Sequence, residues 1–333
     1  MGKINVKTTA KLGHKLAKNS TLIGVLVVVL IGCLINGRVF LSIDNIANVG
    51  RQATIRGLLA CGISLTIICG TIDLSISTLF PLCGLVCLYF SNYSVVLAFV
   101  MPLLVAATIG TLNGLLITKG KLHPWIVTIA VQLGLNGVNL MLTQGNTYKP
   151  SNMSSALKSF GNFSILKTID IELICFVVLY VIMSRLVKSK PAFRSMYAVG
   201  ASEESAVMMG VNVNKTKMLA HILCSLFAGF TGILQVSSSG AGKVTSGNGY
   251  EMYAIAACVL GGIHLAGGRG KIIGAFWGAW ILAFLNNIFN MQQYVNPIWY
   301  QVVVVGLLVI IVVFAQALSN KMHAGFKKET TRI

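Results

Sequence analysis

This sequence has little charge. Only 10% of its 333 residues are charged, and eight are acidic, whereas soluble domains carry about 25% charged residues. So few charges cannot cover the surface of a water-soluble protein of this length. The acidic residues are Asp44, Asp73, Asp170, Glu172, Glu203, Glu204, Glu251 and Glu329, and none falls in the middle of an apolar run. Ion-coupled carriers and pumps place ionisable groups at membrane depth, where they are costly and therefore functional. Their absence argues against a carrier that energises itself. No P-loop is present, because Gly270-Lys271 is followed by Ile272 rather than Ser or Thr, which excludes ATP hydrolysis by that route. A T-V-G-Y-G filter, an H-E-x-x-H pair and a G-x-S-x-G elbow are all missing. Potassium-channel selectivity and those forms of membrane catalysis are thereby excluded.

Metal and disulfide chemistry find little to work with. The eight cysteines lie in apolar stretches and none forms a C-x-x-C pair, so they read as small buried hydrophobes. His123, His221 and His264 are scattered along the chain and read as polar helix contacts rather than as metal ligands. No metal site is expected. The net charge of +18 would suggest nucleic acid in a polar chain. Here Lys and Arg sit between apolar blocks, so they read as topology signals and nucleic-acid binding is set aside.

What is abundant is apolar sequence: 55% of residues are hydrophobic and mean hydropathy is +0.80. Crossing the ~30 Å hydrocarbon layer takes about 20 helical residues. Suitable runs occupy residues 21–35, 54–70, 76–90, 94–118, 124–142, 171–186, 218–236, 252–266, 272–291 and 297–318. They are apolar all round rather than alternating, which excludes a barrel. The expectation is an all-α, polytopic integral membrane protein of about ten transmembrane helices. With the N-terminus inside, the cytoplasmic side holds 19 basic residues. The outer side receives Arg38, Arg51, Arg56, Lys149, Lys158, Lys167 and Lys243. That asymmetry places both termini in the cytoplasm. Residues 1–20 then form a basic cytoplasmic segment, 21–318 a single transmembrane domain, and 319–333 a cytoplasmic tail. The basic start resembles a signal peptide, but Ile31 fits a cleavage site poorly, so the first helix is expected to stay uncleaved.

Some residues inside the apolar runs carry further information. Gly110 with Gly114, and Gly274 with Gly278, are small-x-x-x-small pairs that put glycines on one helix face and let backbones approach. Asn113, Asn286, Asn287 and Asn290 suit a path for a neutral hydroxylated solute or, equally, helix–helix hydrogen bonds. The cytoplasmic stretch 188–216 holds a short helix pattern of its own. Ser202 is a good N-cap, Glu203 and Glu204 complement the helix dipole, and Gly210 suits the C′ position. Between them Ala206, Val207, Met208 and Met209 are expected to present apolar side chains to a partner, or to lie on lipid.

At this stretch the sequence resembles a known family. Glu204-Ser205-Ala206-x-x-x-Gly210 resembles the E-A-A-x-x-x-G coupling loop of ABC importer permeases, with Ser205 in place of an Ala. The stretch from Tyr197 to Asn214 is similar to the ribose-type sugar permeases. So are Gly70-Thr-Ile-Asp-Leu-Ser75, which carries Asp73, and the block from Gly249 to Gly262 continuing through Ala266–Lys271. The resemblance runs from about residue 45 to 315. It departs at Thr71 and Ser77, where the family usually has Gly, and at Tyr253, where it has Asp. The resemblance implies a type II ABC importer permease fold, with ATP bound by a separate cytoplasmic ATPase and no cofactor in this chain. It further implies a bacterial plasma membrane location, an external or periplasmic sugar-binding protein, and a second permease copy or a similar permease as partner. Glu203–Gly210 would be the ATPase-coupling element, and Asp73 would cap the third span or take a direct part in gating or in ATPase contact. The alternative from the residues alone is a stand-alone carrier or facilitator for a small neutral solute, which would need an ion-binding carboxylate or a pair of broken helices.

Overall fold

The computed structural model describes residues 20–165, 169–292 and 303–314. Helix α1 (Ser20–Asn36) leads through a short 3-10 turn into α2 (Ile43–Ile68). Ser42 starts α2 by accepting the Asn45 N–H, and Asp44 in the first turn faces the positive end of the helix dipole. Then come α3 (Ile76–Ser91), α4 (Val95–Thr118) and α5 (Pro124–Thr143), the last with proline at its first position, where no intrahelical N–H is needed. A short α6 (Ser155–Gly161) and a two-residue ribbon, β1 (Ser164–Ile165) with β2 (Ile169–Asp170), precede α7 (Ile171–Ser189). The helices α8 (Pro191–Ala201) and α9 (Glu203–Met208) lead to the long α10 (Val213–Ser239). Helices α11 (Tyr250–Leu260), α12 (Ile272–Met291) and α13 (Val303–Phe314) complete the described chain.

Helix α10 runs through the middle of the bundle, packed on α2, α3 and α4, while α2 also packs on α11 and α12. Close approach is made possible by glycine. A Cβ on Gly110 would fall 2.8 Å from the His221 carbonyl, and one on Gly114 would fall 3.0 Å from Met218 Cα, so α4 lies directly on α10. Gly274 and Gly278 bring α12 closer still to α11, where a Cβ on either would fall 2.0 Å from the Gly261 or Ala257 carbonyl. The outside is apolar as well: Leu26, Leu30 and Leu34 on α1, Ile126 and Leu133 on α5, and Ile310 and Ile311 on α13 are exposed. Large exposed apolar surface all around a bundle is what lipid solvates. Among the described residues five helices, counting α1 with its 3-10 turn (Thr21–Leu41), α4, α5, α10 and α12, are long and apolar enough to cross a membrane. The protein is a multi-pass membrane protein.

Two expected spans take a different form. The second begins at Ile43, well before residue 54. Its first turns are polar on one side, so an apolar window misses them. Arg51 and Arg56 consequently lie within α2 and not in an outer connection. The eighth expected span, 252–266, is helical only to Leu260. There Ile263 N–H bonds back to the Cys258 carbonyl around Gly262, which has φ +80°, a glycine-terminated helix end. Eleven helical residues reach about 16 Å, half of a hydrocarbon layer. The chain before α11 supplies the rest with no α-helix, only one short 3-10 turn (Val244–Gly247). It descends along α3, with Gly242 beside Leu85 and Leu88, and Gly247 against the Ser77 carbonyl. This is a broken span, in which irregular backbone is tolerated because it is buried in protein.

Candidate functional site

The segment between α7 and α10 makes a compact projection. Ser202 separates α8 from α9 and its hydroxyl accepts the Ser205 N–H at 3.2 Å. Glu203 turns back to form a 2.6 Å ion pair with Lys217 on α10, while Glu204 is exposed. The helix ends where Gly210 N–H bonds to the Val207 carbonyl and Val211 N–H to the Ala206 carbonyl. That return requires Gly210 to adopt φ +78°, a conformation L side chains avoid. Val207, Met208 and Met209 are 61%, 87% and 67% exposed, a run of large apolar side chains that none of the described residues covers. Ala206 does not join them, contrary to expectation. It is wholly buried and faces the core, with Val211 and Val213 packed against that core.

Beneath this projection three distant stretches of chain meet. A Cβ on Gly200, at the end of α8, would fall 1.9 Å from the Ile68 carbonyl and 2.7 Å from Gly268 N. Gly70 lies on Gly200 Cα, and Gly267 approaches both the Gly200 carbonyl and Gly70. Gly268 N–H donates to the Ile68 carbonyl at 2.9 Å, and the Tyr197 hydroxyl donates to the Gly270 carbonyl at 3.0 Å. Backbone therefore touches backbone at the end of α2, the end of α8 and the loop after α11.

The turn after Gly70 carries Asp73, and its role differs from the expected cap. The residue at the start of α3 is Ser75. Asp73 Oδ1 accepts the Ser75 N–H at 3.0 Å and the Ser75 hydroxyl at 2.6 Å, the local turn that Asp side chains favour. Its Oδ2 lies 3.0 Å from His221 Nδ1, and the Asn113 amide donates to Oδ2 at 3.3 Å and to Ser75 Oγ at 3.0 Å. Asp73, Ser75, Asn113 and His221 are all buried. His221 Nε2, Asn113 Oδ1 and the neighbouring Ser225 Oγ have no hydrogen-bond partner among the described residues. Thr71 and Ser77 fit locally: the Thr71 hydroxyl donates to the Thr66 carbonyl, and Ser77 Oγ accepts from the Gln132 amide.

The asparagines suited to a path do not gather in one place. Asn113 belongs to the Asp73 network. Asn287 exchanges amide hydrogen bonds with Asn45, at 2.8 and 3.0 Å, inside the bundle. Asn286 is buried and Asn290 is exposed. Farther along α2, the Arg56 guanidinium carbon lies 4.6 Å from the Tyr253 ring centre and 5.7 Å from that of Tyr250. Position 253, where the resembled pattern has Asp, thus still engages a cation, through a ring face. Among the described residues no three His, Cys, Asp or Glu side chains gather as metal ligands would.

Residues 45–313 match the family described as "Branched-chain amino acid transport system / permease component". The chain belongs to this permease family. It is 32% identical over 302 residues to the ribose import permease protein of Escherichia coli strain K12, covering 90% of this permease and 93% of that protein. The ribose import permease protein of Bacillus subtilis strain 168 is 34% identical over 293 residues, 87% and 90% of the two chains. The xylose transport system permease protein of Escherichia coli strain K12 is 27% identical, over 85% and 87%. No solved structure matches the permease.

His221 is the residue that sequence reading undervalued. A lone histidine in an apolar run carries no signal of its partner, which lies 148 positions away. Gly200 was likewise invisible, because only the fold shows what its missing side chain admits.

Proposed function

We propose that this permease is the membrane-spanning subunit of an ATP-driven ABC importer that moves a sugar, ribose-like or a related carbohydrate. An external binding protein delivers the solute, and a separate cytoplasmic ATPase subunit binds and hydrolyses ATP. Two permease copies, or this one with a similar permease, form the channel in a bacterial plasma membrane, with both termini in the cytoplasm. The observation that carries this reading is α9. A two-turn helix that ends on a glycine and exposes Val207, Met208 and Met209 to solvent is a docking surface in need of a protein groove. Its position over the junction of Gly70, Gly200 and Gly267 gives a docked partner leverage on three parts of the bundle. The sugar assignment follows the relatives named for ribose and xylose import.

In this mechanism the chain performs no chemistry. Closure of the ATPase pushes on Glu203–Gly210, and the packed bundle passes between outward-open and inward-open arrangements, as two-state transporters do. The test is uptake of labelled ribose, xylose and leucine by cells carrying or lacking this gene, with and without ATP depletion. ATP-dependent uptake of a pentose, not competed by leucine, supports the reading. Leucine uptake, or accumulation that survives ATP depletion, overturns it.

A further inference from the structure

The carboxylate–imidazole pair of Asp73 and His221 sits where few such pairs are found. Both side chains are wholly buried in a bundle whose outer surface is apolar. A buried pair of this kind contributes little net stability, because desolvation offsets attraction, and apolar residues of similar volume would serve packing as well. The network is also incompletely satisfied, with His221 Nε2, Asn113 Oδ1 and Ser225 Oγ lacking partners among the described residues. Ionisable groups kept at such cost inside a membrane bundle point to function.

Position says which function. His221 is on α10, the helix that follows α9, and Gly110 brings α4 against its backbone carbonyl. Asp73 is in the turn that begins at Gly70, and Gly70 lies on Gly200, just before α9. Contacts therefore form a closed circuit: from α9 through Gly200 to Gly70, along the turn to Asp73, across to His221, and back down α10 to α9. The Glu203–Lys217 ion pair ties α9 to the same end of α10. Asp73 joins the turn to α10 by a polar side-chain contact, at His221.

We propose that Asp73 is a positioning residue for transport, acting through His221 to hold the Gly70–Ser75 turn to α10. A displacement of α9 then moves α2, α3 and α10 as one body. The inference rests on the importer reading but concerns the internal linkage, which that reading leaves open. Without the pair, α9 still docks and the ATPase still turns over, while the turn no longer follows α10.

The experiment uses the whole importer in proteoliposomes, reading ribose uptake per ATP hydrolysed. Asp73→Asn keeps an oxygen for the Ser75 hydrogen bonds and removes the charge, and His221→Gln removes the other end. Each is expected to lower uptake per ATP by about tenfold or more, within the usual range of coupling between sites, with ATPase activity and assembly retained. The double variant Asp73→Asn/His221→Asn, which has no uncompensated charge, should lose less than the two single losses multiplied together. Hydrogen exchange gives a readout that needs no solute: amides of 70–75 should exchange faster in each variant, with 203–210 unchanged. Should Asp73→Asn fail to insert, His221→Gln and the double variant carry the same test. Wild-type uptake per ATP in the inserted variants overturns the inference, and so does equal loss of uptake and hydrolysis, or unchanged exchange at 70–75. Failure of the wild-type importer to take up ribose or xylose instead counts against the importer reading, and the exchange result still decides this one.

Discussion

His221 Nδ1 lies 3.0 Å from Asp73 Oδ2, joining residues 148 positions apart with neither side chain in contact with solvent. For His221 to donate to an ionised Asp73, its Nδ1 must carry the proton. The turn that holds Asp73 is reached from the other side by backbone alone, at Gly70 and Gly200. One junction is thus fastened by a polar side-chain pair and the other by the absence of side chains.

The second fastening makes a contrast between glycines. In Gly200→Ala the added Cβ would meet the Ile68 carbonyl at 1.9 Å, so backbone must shift, at about 1–3 kcal/mol for overpacking of this kind. In Gly134→Ala on α5 the Cβ meets nothing within 4 Å, and higher helix propensity should leave stability unchanged or raised by up to about 1 kcal/mol. Thermal unfolding of the two variants in detergent checks the difference.

Exposure of α9 predicts where a partner is met. A cysteine at Met208, 87% exposed, should cross-link to the ATPase subunit in membranes. A cysteine at Met196, buried on α8, should not. The background needs Cys33 and Cys175 replaced, since those two native thiols are only partly buried.

Arg56 offers a test of what Tyr253 does. Tyr253→Leu removes the ring face 4.6 Å from the guanidinium and should cost about 0.5–2 kcal/mol. Tyr253→Asp offers a carboxylate in its place and should cost less than Tyr253→Leu. Denaturation midpoints of the purified variants distinguish the two.

The amide pair at the start of α2 separates two of the asparagines. Asn287→Ala removes both hydrogen bonds to Asn45, whose amide nitrogen keeps the Phe40 carbonyl while its Oδ1 loses the Asn287 donor, a loss of about 1–3 kcal/mol. Asn290→Ala, on the exposed side of α12, should leave the melting temperature within error of wild type.

Much of this architecture was legible because lipid imposes long apolar runs. Helices α1, α4, α5 and α12 begin and end within a few residues of those runs. The short helix at Glu203–Met208 was legible from its cap and its glycine, both local signals. Helix α11 was not, because a window of apolar residues does not register that Gly261-Gly262 ends the helix before the run ends. The inward turn of Ala206 and the pairing of Asp73 with His221 depend on which helices become neighbours, and no local pattern encodes that. The same holds for Gly200: the stretch Tyr197–Asn214 carries a family resemblance, but what the missing side chain admits, the carbonyl of Ile68, is set by the fold.

The central claim is that Glu203–Gly210 couples this permease to an ATPase, and one pair of substitutions tests it most directly. Gly210→Val forces a β-branched residue into φ +78°, with a strain of about 1–2 kcal/mol, and Glu204→Lys reverses the exposed charge beside it. The measurement is pentose uptake in cells carrying both substitutions, alongside the amount of permease in the membrane and of ATPase that co-purifies with it. The account predicts a normal amount of inserted permease, little co-purifying ATPase and uptake reduced to background. Normal uptake with both substitutions in place would contradict it.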